Sequence, residues 1–349
     1  SDMKKSAQKQ TVWKRLSGYL KAYRLRLFLV LLFASASTVF TCLAPFVIGK
    51  VTTALFDSVR DGVFYWETVL WLLGALVCLY LISQFFSFLQ GFHMARITAN
   101  VMGKLRSDID NKMHRLKLNY YNTHTPGDIL SVITNDVDTI NNAVSQNLTS
   151  IVTQVITAAG ILLMMLFISP RLTLIPVIMV PLSLLSAAGV MKAGGRHYGR
   201  QQELLGQLNG YIEEMYNGQQ VVQAFSYQEH AKSEFHALNQ KLRRSSYKAE
   251  TTTGAVSPIT TLVNDMGYVI CAAIGCLQAI AGGIAVGNVQ AMLEYTRRFA
   301  EPFTSLAGMA GSFGAAKAAG DRIFTLLDAE EELPDEENGI IPQDRSGSV

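Results

Sequence analysis

The sequence predicts an all-α membrane protein with six transmembrane helices and two long cytoplasmic helical hairpins. Three observations carry this. Hydrophobic residues make up 49% of the 349 residues and charged ones only 16%, below the roughly one quarter usual in soluble domains. The apolar residues gather in runs that reach the about 20 residues a helix needs to cross a bilayer core. Two polar stretches, 93–147 and 192–257, are far too long for ordinary connections and still keep apolar residues at helical spacing.

Along the chain, residues 11–24 place Val12, Trp13, Leu16, Tyr19 and Leu20 near one helical face and Lys14, Arg15 and Lys21 elsewhere. That is the pattern of an amphipathic elbow helix in the membrane interface; an ordinary solvated helix is the plainer alternative. Spans are expected at about 27–48, 66–92, 148–168, 172–191, 258–281 and 288–313. Ser169-Pro170-Arg171 turns the chain between the third and fourth, and Gly282-Gly283 with Gly287 between the fifth and sixth. Pro176 and Pro181 fall inside the fourth span, where a membrane helix tolerates them if neighbours satisfy the freed carbonyls. Ile97, Val101, Leu105, Ile109, Met113 and Leu116 continue a helical stripe beyond the second span. A helix from Trp66 to Leu118 is about 80 Å long at 1.5 Å per residue, so it projects roughly 40 Å past the bilayer. Each polar stretch is then a hairpin, one helix out and one helix back.

Lysine and arginine set the sidedness. The segment through Arg26 holds eight, 93–147 holds six, and the segment from Lys192 to the fifth span holds eight, against Lys50, Arg60 and Arg171 in the alternate loops. Both termini are therefore expected in the cytoplasm. The chain divides into an N-terminal cytoplasmic segment 1–26, a six-helix domain 27–327, and an acidic linker with a tail, 328–349. Ser1-Asp2 before Met3 reads as a cloning remnant, and the last five residues as an appended tail.

Several function classes fall away. The net charge is only +3 and the basic residues form no nucleic-acid-binding face. Cys42, Cys78, Cys271 and Cys276 lie in apolar runs without a CxxC pair and read as small hydrophobes. The six histidines show no metal-ligand spacing. Asn147-Leu148-Thr149 fits a glycosylation sequon but lies on the cytoplasmic side. A phosphate-cradling GxxxxGK[ST] loop is absent. Gly194 and Gly199 have its glycine spacing, but Arg200-Gln201 replace the Lys-Ser/Thr and a membrane helix precedes them.

Three segments are specific. Tyr120-Tyr121-Asn122-Thr123-His124-Thr125-Pro126-Gly127-Asp128-Ile129-Leu130-Ser131, followed by Thr134-Asn135-Asp136-Val137-Asp138, resembles the first cytoplasmic loop of ATP-binding cassette (ABC) exporters. Gly218-Gln219-Gln220-Val221-Val222-Gln223-Ala224-Phe225, with Glu229 and Phe235, resembles their second loop. Arg322-Ile323-Phe324-Thr325-Leu326-Leu327-Asp328 resembles their lead into the ATPase domain. The resemblance covers 12–332; Val132 departs from it, where the family commonly carries arginine. It implies the transmembrane domain of a bacterial, multidrug-exporter-like half-transporter in the inner membrane, moving lipophilic or amphiphilic compounds, lipids or peptides. It implies a second transmembrane half as partner, identical or different, and nucleotide-binding domains outside this chain that hold ATP and Mg. Membrane lipid and a transported small molecule complete the implied partners; nucleic acid is not among them. This chain itself is expected to have no ATPase activity.

The resemblance also assigns coupling to the hairpin tips: Asn122, Thr125, Pro126, Gly127 and Asp128 at the first, Phe225, Tyr227, Gln228 and Glu229 at the second. Thr-Pro-Gly breaks a long helix, and a short helix is expected after the bend. Phe225 and Tyr227 are large aromatics far from any span, so either a partner covers them or they pack within the hairpin.

The sixth span carries the strongest signal of its own. Gln290, Glu294, Arg297, Glu301, Ser305, Gly308 and Ser312 recur at steps of three and four and so share one face, with Arg298 flanking; Phe299, Phe303 and Leu306 fall away from it. Charges in a span rarely face lipid. They line a watery pathway or form a helix-locking cluster in which Glu294–Arg298 and Arg297–Glu301 pair at i,i+4. Asn264 and Asp265 in the fifth span read as a buried polar contact, with a proton or substrate site as the sharper alternative, and Phe85, Phe86 and Phe88 as lipid or packing contacts rather than a drug-binding box. A six-span secondary transporter or channel, or a membrane sensor, remains the alternative on the span count alone.

Overall fold

The structure, a computed structural model, describes residues 12–332. Readings that fall on 1–11 and 333–349 lie outside the described residues. The described chain is helical almost throughout: α1 (Val12–Lys21), α2 (Arg24–Asp61), α3 (Trp66–Met113), α4 (Leu118–Thr123), α5 (Pro126–Ser131), α6 (Val137–Asn142), α7 (Leu148–Ile168), α8 (Pro170–Asn217), α9 (Gln219–Ala224), α10 (Gln228–Gly254), α11 (Val256–Ile280), α12 (Val286–Phe299) and α13 (Glu301–Leu327). Two π-helical turns, Val132–Asp136 and Ala143–Asn147, join α5, α6 and α7 into one run. Five helical runs are long and apolar enough to cross a membrane: Arg24–Asp61, Trp66–Met113, Pro126–Ile168, Pro170–Asn217 and Gln228–Ile280. Pro176 and Pro181 sit inside α8 without breaking it.

The sixth apolar segment differs from the sequence expectation. It is divided at Ala300 into α12 and α13. The physical cause is Pro302, which has no N–H to give the carbonyl of Arg298 and whose ring crowds that carbonyl.

The chain forms two compact units. The first comprises residues up to Thr41, Leu79–Thr157 and from Ser305 on. Its core joins Val12 and Leu16 of α1, Met94, Ile97, Val101, Leu105 and Ile109 of α3, Val137 and Ile140 of α6, and Ala319, Ile323, Phe324 and Leu326 of α13. The stripe from Ile97 to Ile109 is thus the buried face of α3. The face of α1 expected to lie in the interface is partly covered by protein. A Cβ on Gly320 would overlap Val12, Trp13 meets Phe313 edge-on at 5.4 Å, and the Arg15 guanidinium lies over the Phe324 ring.

The second unit comprises Cys42–Cys78 and Ala158–Thr304. Its core centres on Tyr295, Met292, Phe299, Met165, Ile161 and Leu172. Tyr295 Oη donates to the Cys42 carbonyl at 2.6 Å, which satisfies a buried phenol. Where α2 crosses α12, Gly49 and Gly287 meet backbone to backbone, since a Cβ on either would overlap the other's carbonyl. The Gly287 N–H is taken up by Thr53 Oγ1 at 3.2 Å. α8 and α10 pair antiparallel: Tyr211 Oη donates to the Ala231 carbonyl at 3.0 Å, and a Cβ on Gly194 would touch Thr252.

Candidate functional site: two hairpin tips and a polar helix face

At the first tip the backbone is set by capping. Thr125 Oγ1 accepts from the Asp128 N–H at 3.2 Å and donates to Asp128 Oδ2 at 2.7 Å, and Pro126 follows at the first helical position. Proline is favoured there because its missing N–H has no acceptor in any helix. Thr-Pro-Gly therefore starts the long run to Ile168. The expected short helix after the bend is α5, which continues through the π turns toward Ile168, and a second short helix, α4, precedes the bend. Tyr120 stacks on His124 at 4.1 Å, and Tyr121 Oη donates to the Met113 carbonyl at 2.7 Å. Asn122, Thr125, Pro126, Gly127 and Asp128 are all exposed.

The second tip is a left-handed turn without glycine. Ser226 has φ 51°. Tyr227 N–H donates to the Val222 carbonyl at 2.9 Å and Ser226 N–H to that of Gln223 at 3.2 Å, which closes the end of α9. This bond pair is the Schellman helix stop, where glycine is the usual residue. The turn leaves Phe225 79% and Tyr227 41% exposed. Tyr227 lies near His230 at 4.6 Å between ring centroids, and Glu229 pairs with Lys232 at 2.8 Å, which holds its carboxyl below the usual range. Gln228 is exposed.

The polar face of the sixth segment divides in two. In α12 and the start of α13, Gln290, Arg297 and Glu301 are exposed and Glu294 half-buried, while Met292, Tyr295 and Phe299 behind them are buried. Glu294 pairs with Arg298 at 2.7 Å. The expected Arg297–Glu301 pair does not form: the Arg297 guanidinium faces the Tyr268 ring at 5.9 Å, and the break at Ala300 separates the two residues. In the first unit the face is a helix seam. Ser305 Oγ accepts from Gln154 Nε2 at 3.1 Å and Ser312 Oγ from Asn147 Nδ2 at 2.7 Å. Asp265 is exposed and Asn264 half-buried, so the pair is not the buried polar contact expected from the sequence. Phe86 stacks against Phe33 and Phe40, whereas Phe85 and Phe88 are exposed.

The sequence reading missed a set of charges around the first tip. Buried Asp136, in the first π turn, takes a two-pronged hydrogen bond from Arg322 of α13, which holds the guanidinium protonated. Asn147 in the second π turn and Gln154 reach the same helix, so the π turns aim polar side chains at α13. The described start of the acidic linker, residues 328–332, is tied down. Asp328 pairs with Arg15 at 2.5 Å, Glu330 with Lys117 at 2.6 Å and Glu331 with Lys112 at 2.8 Å. Glu332 N–H donates to the Arg115 carbonyl at 2.8 Å. The opposite charge runs at 112–117 and 328–332 were the available signal.

Residues 27–303 match the ABC transporter transmembrane region family. The chain belongs to that family. It is 31% identical over 339 residues to an uncharacterised ABC transporter ATP-binding protein, YfiC, of Bacillus subtilis, covering 96% of this chain and 55% of that protein. It is 34% identical over 265 residues to the fatty acid ABC transporter ATP-binding/permease protein of Mycobacterium bovis, covering 76% and 42%. It is 25% identical over 246 residues to the ATP-dependent lipid A-core flippase of Vibrio vulnificus, covering 70% and 42%. The chain thus spans about half the length of the curated relatives it matches. It is the membrane-spanning region of an ABC exporter, and the secondary-transporter and sensor alternatives are set aside.

Proposed function

We propose that this chain is the substrate-translocating half of an ATP-driven exporter for lipids or amphiphilic compounds. It works paired with a second such half, with both termini in the cytoplasm. Nucleotide-binding domains, which hold ATP and Mg, dock on the two hairpin tips and turn the pathway outward when they close. The relatives named for fatty acids and for lipid A-core support the substrate class. The polar face of Gln290, Glu294, Arg297, Arg298 and Glu301 supplies the pathway's lining.

The observation that carries the coupling role is the second tip, which presents Phe225 and Tyr227 outward on a strained turn. Burying one such ring in a partner's pocket contributes about 1.5–3 kcal/mol, enough to anchor a contact. In the full-length protein, Phe225→Ala should leave membrane insertion and ATP binding nearly intact. Substrate-stimulated ATPase activity and transport should both fall at least tenfold. Loss of thermal stability with coupling unchanged in the folded fraction would instead assign the ring to packing.

A further inference from the structure

The second hairpin separates its charges along its length. Residues 192–202 and 241–257, next to the spans, carry seven Lys/Arg and one acid, Glu250. Residues 203–240, toward the tip, carry five acids and one base, Lys232. The span-proximal excess is the bias that sets the sidedness; what that bias does not dictate is how these bases are placed around the two helices.

Helical spacing gathers most of these bases into two strips. Lys192, Arg196 and Arg200 recur every four residues on α8. Lys241, Arg244 and Lys248 recur at three and four on α10. All six are exposed. Ser245 packs against His197 and Gly194 against Thr252. Lys248 therefore stands level with Arg196, and Arg244 level with Arg200. Both strips are reached by the same sense of rotation from the seam residues, Gly194, Leu204 and Leu208 on α8 and Ser245 and Ala249 on α10. In an antiparallel pair that puts them on one flank.

Ion pairs do not account for the strip. Among the described residues only Arg200 has an acidic partner, Glu203 at 2.7 Å. The first hairpin is different. Arg106, Lys112 and Lys117 each pair with a carboxylate, and Arg96 and Lys104 lie over the Phe92 and Tyr19 rings. Position fits a membrane surface. Lys192 directly follows the apolar run that ends at Met191; Arg196 and Lys248 stand about 7 Å beyond it, Arg200 and Arg244 about 13 Å, and Lys241 about 18 Å. Headgroups occupy roughly 5–8 Å on each side of the hydrocarbon, and the long α8 side chains, which tilt toward the N-terminal, membrane end of their helix, lean back toward them. Tyr198 and Tyr247, 52% and 73% exposed, stand at the same level, as interfacial aromatics do.

We infer that the flank formed by Lys192, Arg196, Arg200, Arg244 and Lys248 is a binding surface for anionic phospholipid headgroups. It holds the base of the second hairpin to the membrane while the acidic distal half stays clear of it. The inference rests on the membrane-spanning assignment and not on transport.

The test uses the full-length protein in nanodiscs of phosphatidylcholine doped with phosphatidylglycerol that carries a photoreactive headgroup. Crosslinks should map to residues 192–202 and 241–250 and fall severalfold in high salt. The variant K192Q/R196Q/R244Q/K248Q should lose roughly tenfold or more of this labelling, and K192R/K248R should retain it. Labelling that maps to 203–240 or elsewhere, or that is unchanged in the four-glutamine variant, overturns the inference. So does protection of these arginines from small reagents in lipid-free detergent, which would show a second copy or a nucleotide-binding domain covering the flank. If the four-glutamine variant does not fold, the wild-type map and its salt dependence decide alone. The readout needs neither ATP nor a transported substrate, so failure of the exporter reading would leave it intact.

Discussion

At the scale of single residues, backbone geometry gives the sharpest expectations. Ser226 holds a left-handed conformation that costs a non-glycine residue about 1–2 kcal/mol. Ser226→Gly should leave the melting temperature unchanged or slightly raised. Ser226→Val, β-branched at positive φ, should lower it and speed amide exchange at Tyr227, whose N–H closes the turn. Equal stability of the two variants would contradict the assigned turn. Gly287 is limited by space. A methyl there meets the Gly49 carbonyl and Thr53, so Gly287→Ala should destabilise by about 1–3 kcal/mol. Gly74→Ala, where a Cβ meets open space, serves as the control in the same thermal unfolding series and should shift stability little.

At the scale of elements, the segment 328–332 belongs mechanically to the end of α3. Exposed ion pairs contribute little singly, but Lys112 is only 10% exposed at its side chain, and the Glu332–Arg115 backbone bond adds a fixed point. Lys112→Glu should release the segment, read as faster proteolysis around 328–332, and Lys112→Glu with Glu331→Lys should restore protection. Failure of the swapped pair to rescue would show that the charges do not hold the segment. The pH sense follows from the same contacts. Lys117 and Lys112 hold the Glu330 and Glu331 carboxyls below their ordinary range. Their stabilisation is full above the unfolded carboxylate pKa and is lost as pH falls through the lowered folded values. Protection should therefore be flat from pH 6 to pH 8 and disappear only in acid. The ladder above it, Arg322–Asp136, Ser312–Asn147 and Ser305–Gln154, fixes α13 against the run that climbs from the first tip.

At the scale of the whole molecule, the proposal makes the polar face of α12 part of a watery pathway in a paired exporter. Cysteines placed at Glu294, Arg297 and Glu301 of the full-length protein should react with small polar reagents. Cysteines at Phe299, buried in the second unit's core, and at half-buried Phe303 should react poorly. Even reactivity around the helix would rule out a one-sided lining. The two halves of the segment should also differ. Ser305 and Ser312 have hydrogen-bond partners on the run ending at Ile168, so cysteines there should react more slowly than at Arg297.

Much of this protein was legible in the sequence, because bilayer thickness and helix geometry act locally. Apolar run length decided the helical class and five of the six expected spanning runs; the sixth is divided at Ala300. The 3.6-residue period found the buried stripe Ile97 to Ile109 and the polar face from Gln290 to Glu301. The Thr-Pro-Gly chemistry marked the first bend, and the loop segments marked the family. Only the tertiary structure decided what depends on residues far apart in the chain. It showed Asp328–Glu331 paired with Arg15, Lys112 and Lys117, and Asp136 buried against Arg322. It gave Arg297 the Tyr268 ring in place of Glu301, and it turned the Ser305–Ser312 part of one continuous stripe into a seam. The left-handed turn at Ser226 also lay beyond the sequence, since it depends on which carbonyls the end of α9 offers and no glycine announces it. Periodicity fixes which face a residue occupies; which neighbour fills that face is settled by packing across the fold.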